Sequence, residues 1–186
     1  MTMCRLFQIR GAWLRLFPLI VGFGAASVLM PVRTFAAESQ SCSADPMSRE
    51  LDYWLGNWTV SYPGGPKGST SKVVLLLDQC LFVEQWGDSN GHRGENVFAY
   101  GKDDQTWHGL FADNRGRLHV FVEGKVAAGA AEFLGPSRGD DGATILNRVR
   151  VIRMDANHLK QTWEKSVDSG RSWKSEFALD YSRAGR

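Results

Sequence analysis

The chain has little of what metal proteins, nucleic-acid binders and multidomain proteins need. Its four histidines are His92, His108, His119 and His158, no two at H-x-H or H-x-x-x-H spacing, and no HExxH occurs. That pattern argues against a dedicated zinc centre. A haem site needs only one axial histidine and stays open as a minor alternative; no other cofactor and no metal is expected. Lys and Arg form no cluster after residue 37, so nucleic acid is not an expected partner. Low-complexity linkers, charge blocks and long repeats are missing as well. The 149 residues that follow position 37 therefore read as one domain, 38–186, large enough for a real core.

Long apolar runs are also missing, except at the start. Arg5, Arg10 and Arg15 precede an apolar stretch from Leu16 to Val32, and Thr34-Phe35-Ala36-Ala37 offers small residues for cleavage. Residues 1–37 read as a signal peptide. An uncleaved membrane anchor is the rival reading, because 17 residues approach the roughly 17–25 that span a bilayer. Pro18, Gly22, Gly24 and Pro31 suit a permanent helix badly. The expected destination is the periplasm, with secretion as the alternative and no stable membrane insertion after cleavage. Cleavage would remove four of the 22 basic residues and none of the 20 acidic ones, leaving 18 against 20, a net charge of −2.

Of three cysteines, Cys4 lies in the leader, and Cys42 and Cys80 remain. An exported chain with two cysteines most often joins them, so a Cys42–Cys80 disulfide is expected; two unpaired buried thiols are the alternative.

What the chain does have is alternation. In Leu51–Val60, read L-D-Y-W-L-G-N-W-T-V, a short helical turn over 47–54 ends at Gly56, and Trp58, Val60 and Tyr62 then share one face. Period-2 segments follow near 57–62, 71–77, 80–87, 94–100, 105–112, 116–123, 125–134, 143–153, 157–166 and 172–181. Between them stand Gly64-Gly65, Asn90-Gly91, Asn114-Arg115-Gly116, Asp155-Ala156 and Asp168-Ser169-Gly170, which are hairpin turns. Connections this short make neighbours antiparallel. The expected fold is all-β: one up-and-down barrel of about ten strands behind a short N-terminal helical turn, with a two-sheet sandwich as the runner-up.

L-D-Y-W-L-G-N-W, D-Q-C-L-F-V-E-Q-W at Asp78–Trp86, and K-Q-T-W-E-K-S-V-D-S-G-R-S-W at Lys160–Trp173 together resemble a family of exported bacterial proteins of unknown function. The resemblance spans nearly all of the chain after Asp45 and implies a lipocalin-like, or calycin-like, barrel. It implies no catalytic residue. It does imply that Trp58 closes one end under an arginine from a late strand, Arg183 first, with Arg148 or Arg150 behind it.

Two motifs have plain readings. Gly135-Pro136-Ser137-Arg138-Gly139 matches G-x-S-x-G, but a nucleophile elbow needs a helix behind it, and here a Gly- and Asp-rich turn leads to another strand. Ser166–Trp173 fits S-x-D-x-G-x-S-W, which resembles the Asp-box of sialidase-like propellers, a folded hairpin. One copy argues for a structural turn, with Asp168 accepting backbone N–H groups and Gly170 at positive φ.

Polar residues inside apolar strands point to a site. Glu84 shares a face with Phe82 and Trp86, Gln161 with Leu159 and Trp163, and His108 with Thr106 and Leu110. If those faces line the lumen, Glu84 and Gln161 would orient a small apolar or amphipathic molecule among Trp86, Tyr100, His108 and Trp163, with Arg148 or His108 partnering the carboxylate. If they face solvent, they are ordinary surface residues. The leading expectation is thus a ligand-binding barrel and not an enzyme. A small barrel isomerase or cyclase and a ligand-free structural or envelope-stress protein are the alternatives.

Overall fold

The computed structural model describes residues 41–185; the expected signal peptide lies outside them. Ten strands follow one another: β1 (Gly56–Ser61), β2 (Ser69–Leu76), β3 (Leu81–Gly87), β4 (Arg93–Gly101), β5 (Thr106–Asp113), β6 (Leu118–Ala127), β7 (Ala130–Arg138), β8 (Thr144–Arg153), β9 (His158–Ser166) and β10 (Lys174–Arg183). Each pairs antiparallel with its neighbour in sequence, and β10 returns to pair with β1. The result is a closed up-and-down barrel, which leaves no edge strand to pair with another chain. A sandwich is excluded. No helix among the described residues is long and apolar enough to cross a membrane.

Aspartates set many of the turns. Asp88 Oδ1 accepts the backbone N–H of Asn90 and His92, Asp113 Oδ1 those of Arg115 and Arg117, and Asp168 Oδ1 that of Ser172, at 2.9–3.1 Å. Each replaces a bond the backbone cannot make while it reverses. In the S-x-D-x-G-x-S-W hairpin, Gly170 has φ +86° and its N–H bonds to Ser166 Oγ at 2.8 Å, as expected of a structural turn. Ser137 lies within β7, where its hydroxyl accepts from Asn147 Nδ2 at 2.8 Å. No elbow forms there.

One end of the barrel is plugged by the lead-in, two 3₁₀ turns at Met47–Arg49 and Asp52–Trp54. Trp54 and Trp58 are completely buried, and Trp58 Nε1 donates to Trp54 O at 2.8 Å. Tyr53 Oη donates to Val151 O at 3.0 Å, fastening the plug to β8. Gly56 turns from plug to strand with φ +122°, and any Cβ there would strike the Arg183 guanidinium. Cys42 and Cys80 are disulfide-bonded across 38 residues, tying the lead-in to the turn before β3.

The expected break between strands six and seven is displaced. Gly124, which stands between two apolar runs in the sequence, lies inside β6, and the chain reverses at Ala128-Gly129 instead, both at positive φ. The cause is packing. A Cβ on Gly124 would collide with Trp107 and Phe133, so this glycine makes room for large neighbours.

Candidate functional site

Odd strands run away from the plug and even strands towards it, so the far end gathers the C-terminal residues of β3, β5 and β9 and the N-terminal residues of β4, β6 and β10. A cavity of about 220 Å³ opens there. Its walls are aromatic and aliphatic: Tyr62, Trp86, Phe111, Trp163, Phe177 and Leu179. Its floor is polar, formed by Glu84, Asn96, Gln161 and Tyr181.

Glu84 is 1 % exposed and has no cationic partner among the described residues. Oε1 accepts from Ser71 Oγ at 2.7 Å, and Oε2 accepts from Asn96 Nδ2 at 2.7 Å. Tyr181 Oη lies 2.9 Å from Glu84 Oε1 and 2.5 Å from Gln161 Oε1. A phenol has one proton, so it cannot donate to both oxygens. Burial pushes the Glu84 carboxyl pKa up, against the lowering pull of Ser71, Tyr181 and Asn96. One arrangement that closes the count has Glu84 protonated: its O–H donates to Tyr181, whose own proton goes to Gln161 Oε1. Burial, with Glu84 alongside, also holds the Tyr181 phenol well above its ordinary pKa. In that arrangement the floor is a neutral chain of hydrogen bonds. It ends on the Gln161 amide nitrogen, which has no hydrogen-bond partner among the described residues.

The mouth is charged but balanced. Asp113 accepts from His92 Nε2 at 2.9 Å and Arg117 Nε at 2.6 Å, and Lys165 pairs with Glu176 at 3.0 Å. Burial acts to raise the Asp113 carboxyl, but its bonds from His92 and Arg117 outweigh it and keep the group well below the carboxylate range. His119 packs its ring 4.8 Å from Trp163; burial first, then Lys165 and Arg117, lower its pKa and favour the neutral imidazole. Trp86 Nε1 and His119 Nδ1, both on lining residues, are buried without a partner among the described residues.

Of the residues singled out from sequence, Glu84, Trp86, Gln161 and Trp163 line this cavity. Tyr100 faces inward but packs near the plug, its ring 5.9 Å from Trp107. His108 and Arg148 are on the outer wall. On β5 the inward residues are Trp107, Gly109 and Phe111, which turns His108 out to bond Asp104 at 2.7 Å. On β8 they are Val149 and Val151, which turns Arg148 out to bond Glu164 at 2.9 Å beneath the Trp173 ring at 4.0 Å. Neither can partner Glu84; Ser71, Asn96 and Tyr181 do. Sequence reasoning does not single out those three, although Asn96 shares the parity of Phe98 and Tyr100.

No family model matches the chain, and no curated protein does.

Proposed function

We propose that this protein binds a small, largely apolar molecule with an uncharged polar head in the barrel cavity. The observation that carries the reading is the buried Glu84–Tyr181–Gln161 chain at the bottom of an aromatic-walled cavity, with the Gln161 amide at its end. A few fixed polar groups in an apolar pocket orient a ligand. An anionic head would gain no net charge at the mouth, where Arg117 and Lys165 are already matched by Asp113 and Glu176. A hydroxyl, carbonyl or amide head suits the floor better, because it can accept from Gln161 without placing a charge beside Glu84. We place the activity in an oxidising compartment, the periplasm first: the disulfide supports this, as does the signal-like start. The reading agrees with membership of the lipocalin-like family that the sequence resembles.

Native mass spectrometry of protein purified from its own compartment tests this. A co-purified neutral amphiphile, released on denaturation, is the expected result. Ligand-free protein that binds no 1-octanol, or a Soret band from bound haem, would overturn it.

A further inference from the structure

The backbone ladder between β6 and β7 stops short of the mouth and leaves a seam there. Their pairing runs only from Glu123↔Leu134 to Ala127↔Ala130, although β6 begins at Leu118 and β7 continues to Arg138. Both keep their other neighbours, with Ala112↔Leu118 on one side and Arg138↔Thr144 on the other. At Gly135 the two strands approach closely: a Cβ there would strike Val120 O and Phe121 Cα, and only glycine allows that approach. Pro136 comes next and has no N–H to give a ladder.

A second cavity, of about 540 Å³, lies in the opened seam. Leu118, His119 and Val120 line it from β6, and Pro136, Ser137 and Arg138 from β7. Successive residues of a strand point to opposite faces of a sheet. Three in a row from each strand border this space, beside Arg117, Gly139 and Asp140 at the mouth. His119 borders the lumen cavity as well, as do Arg117 and Lys165, so the two spaces adjoin. Outside the seam, Leu118, Val120 and Val122 stand 60 %, 47 % and 56 % exposed on neighbouring positions of one strand. Elsewhere the rim carries ion pairs and the partly exposed Phe177 ring.

We propose that this seam is a lateral exit for the tail of a single-chain amphiphile whose head rests on the Gln161 floor. The proposal builds on the lumen-binding reading above and adds the ligand's shape. The lumen cavity is smaller than the roughly 300–1,000 Å³ of drug-sized sites, so a ligand with more than a short chain must emerge from it. A plug of buried tryptophans closes the other end. Along the seam a tail meets Leu118, Val120 and Pro136, with the charged Arg117, Arg138, Asp140 and Lys165 beside them.

The test is a chain-length series of 1-octanol, 1-decanol and 1-dodecanol, titrated against wild type and Leu118→Asp. In wild type, each methylene should strengthen binding about threefold to fourfold, so dodecanol should bind roughly a hundredfold more tightly than octanol. Leu118→Asp, a change at an exposed position, should collapse that ratio to under about tenfold. A flat wild-type series with octanol still bound would overturn the seam and leave the lumen reading standing. So would a ratio that Leu118→Asp fails to reduce. No binding of octanol at all would overturn both.

Discussion

The guanidinium carbon of Arg183 lies 4.1 Å from the centroid of the Trp58 ring, and the two residues are register partners across β1 and β10. This pair sits where the first strand meets the last, so it marks the closure of the barrel. Arg183 also donates to Leu55 O and Tyr53 O, holding the plug's own carbonyls. Trp58→Ala should cost about 3–5 kcal/mol by emptying a fully buried site. Arg183→Ala takes the cation off the indole face, an interaction worth about 0.5–2 kcal/mol. Urea denaturation of both variants checks the order; equal destabilisation would mean that Trp58 is not the larger anchor.

The Cys42–Cys80 bond should stabilise the barrel chiefly by closing a 38-residue loop in the unfolded chain. In the chain-entropy model that amounts to about 3–4 kcal/mol, forfeited in a Cys42→Ser, Cys80→Ser double variant. Denatured wild type should show no free thiol among these two on titration, and the double variant should still bind octanol, because neither sulfur borders the lumen cavity.

Glu84 predicts an unusual pH dependence. Its folded pKa is raised, so between the ordinary carboxyl value and the raised one the unfolded chain has lost a proton that the folded chain keeps. Stability must then fall as pH rises through that window, by up to about 1.4 kcal/mol per pH unit from this group. Glu84→Gln should remove that slope and still fold, since an amide can donate to Tyr181 and accept from Asn96. Denaturation midpoints from pH 4.5 upward, for both proteins, give the answer; an unchanged slope would show that Glu84 ionises freely.

Arg148 should matter to the wall and not to the ligand. It joins Glu164 and stacks on Trp173 outside the barrel, so Arg148→Ala should cost about 1 kcal/mol and leave octanol affinity unchanged. A calorimetric titration checks this, and weaker octanol binding would place Arg148 in the binding path after all.

Strand count, closure and the disulfide were legible because each rests on local chemistry: period-2 apolar runs, Asp and Gly at turns, and two cysteines to pair. Two of the four floor residues of the candidate site were legible too. Glu84 and Gln161 stand out as polar residues between Phe82 and Trp86 and between Leu159 and Trp163. Alternation shows which residues share a face but not which face is inward. That leaves His108 and Arg148 as plausible as Asn96. Register shifts compound the problem: bulges between Trp107 and Gly109 and between Ser175 and Phe177 interrupt the alternation that sequence counting assumes. Tyr181 escapes sequence reasoning for another reason. Its role depends on Glu84 and Gln161, 97 and 20 residues away in sequence, and only barrel closure brings the three together.

The central claim is that the lumen floor holds the head of a neutral amphiphile, and the most direct measurement is calorimetric titration of 1-octanol into wild type and Gln161→Leu. Wild type should bind one equivalent, and Gln161→Leu should bind about fivefold to tenfold more weakly, one hydrogen bond to the head being gone. No saturable binding to wild type, or equal affinity in a folded Gln161→Leu protein, would contradict it.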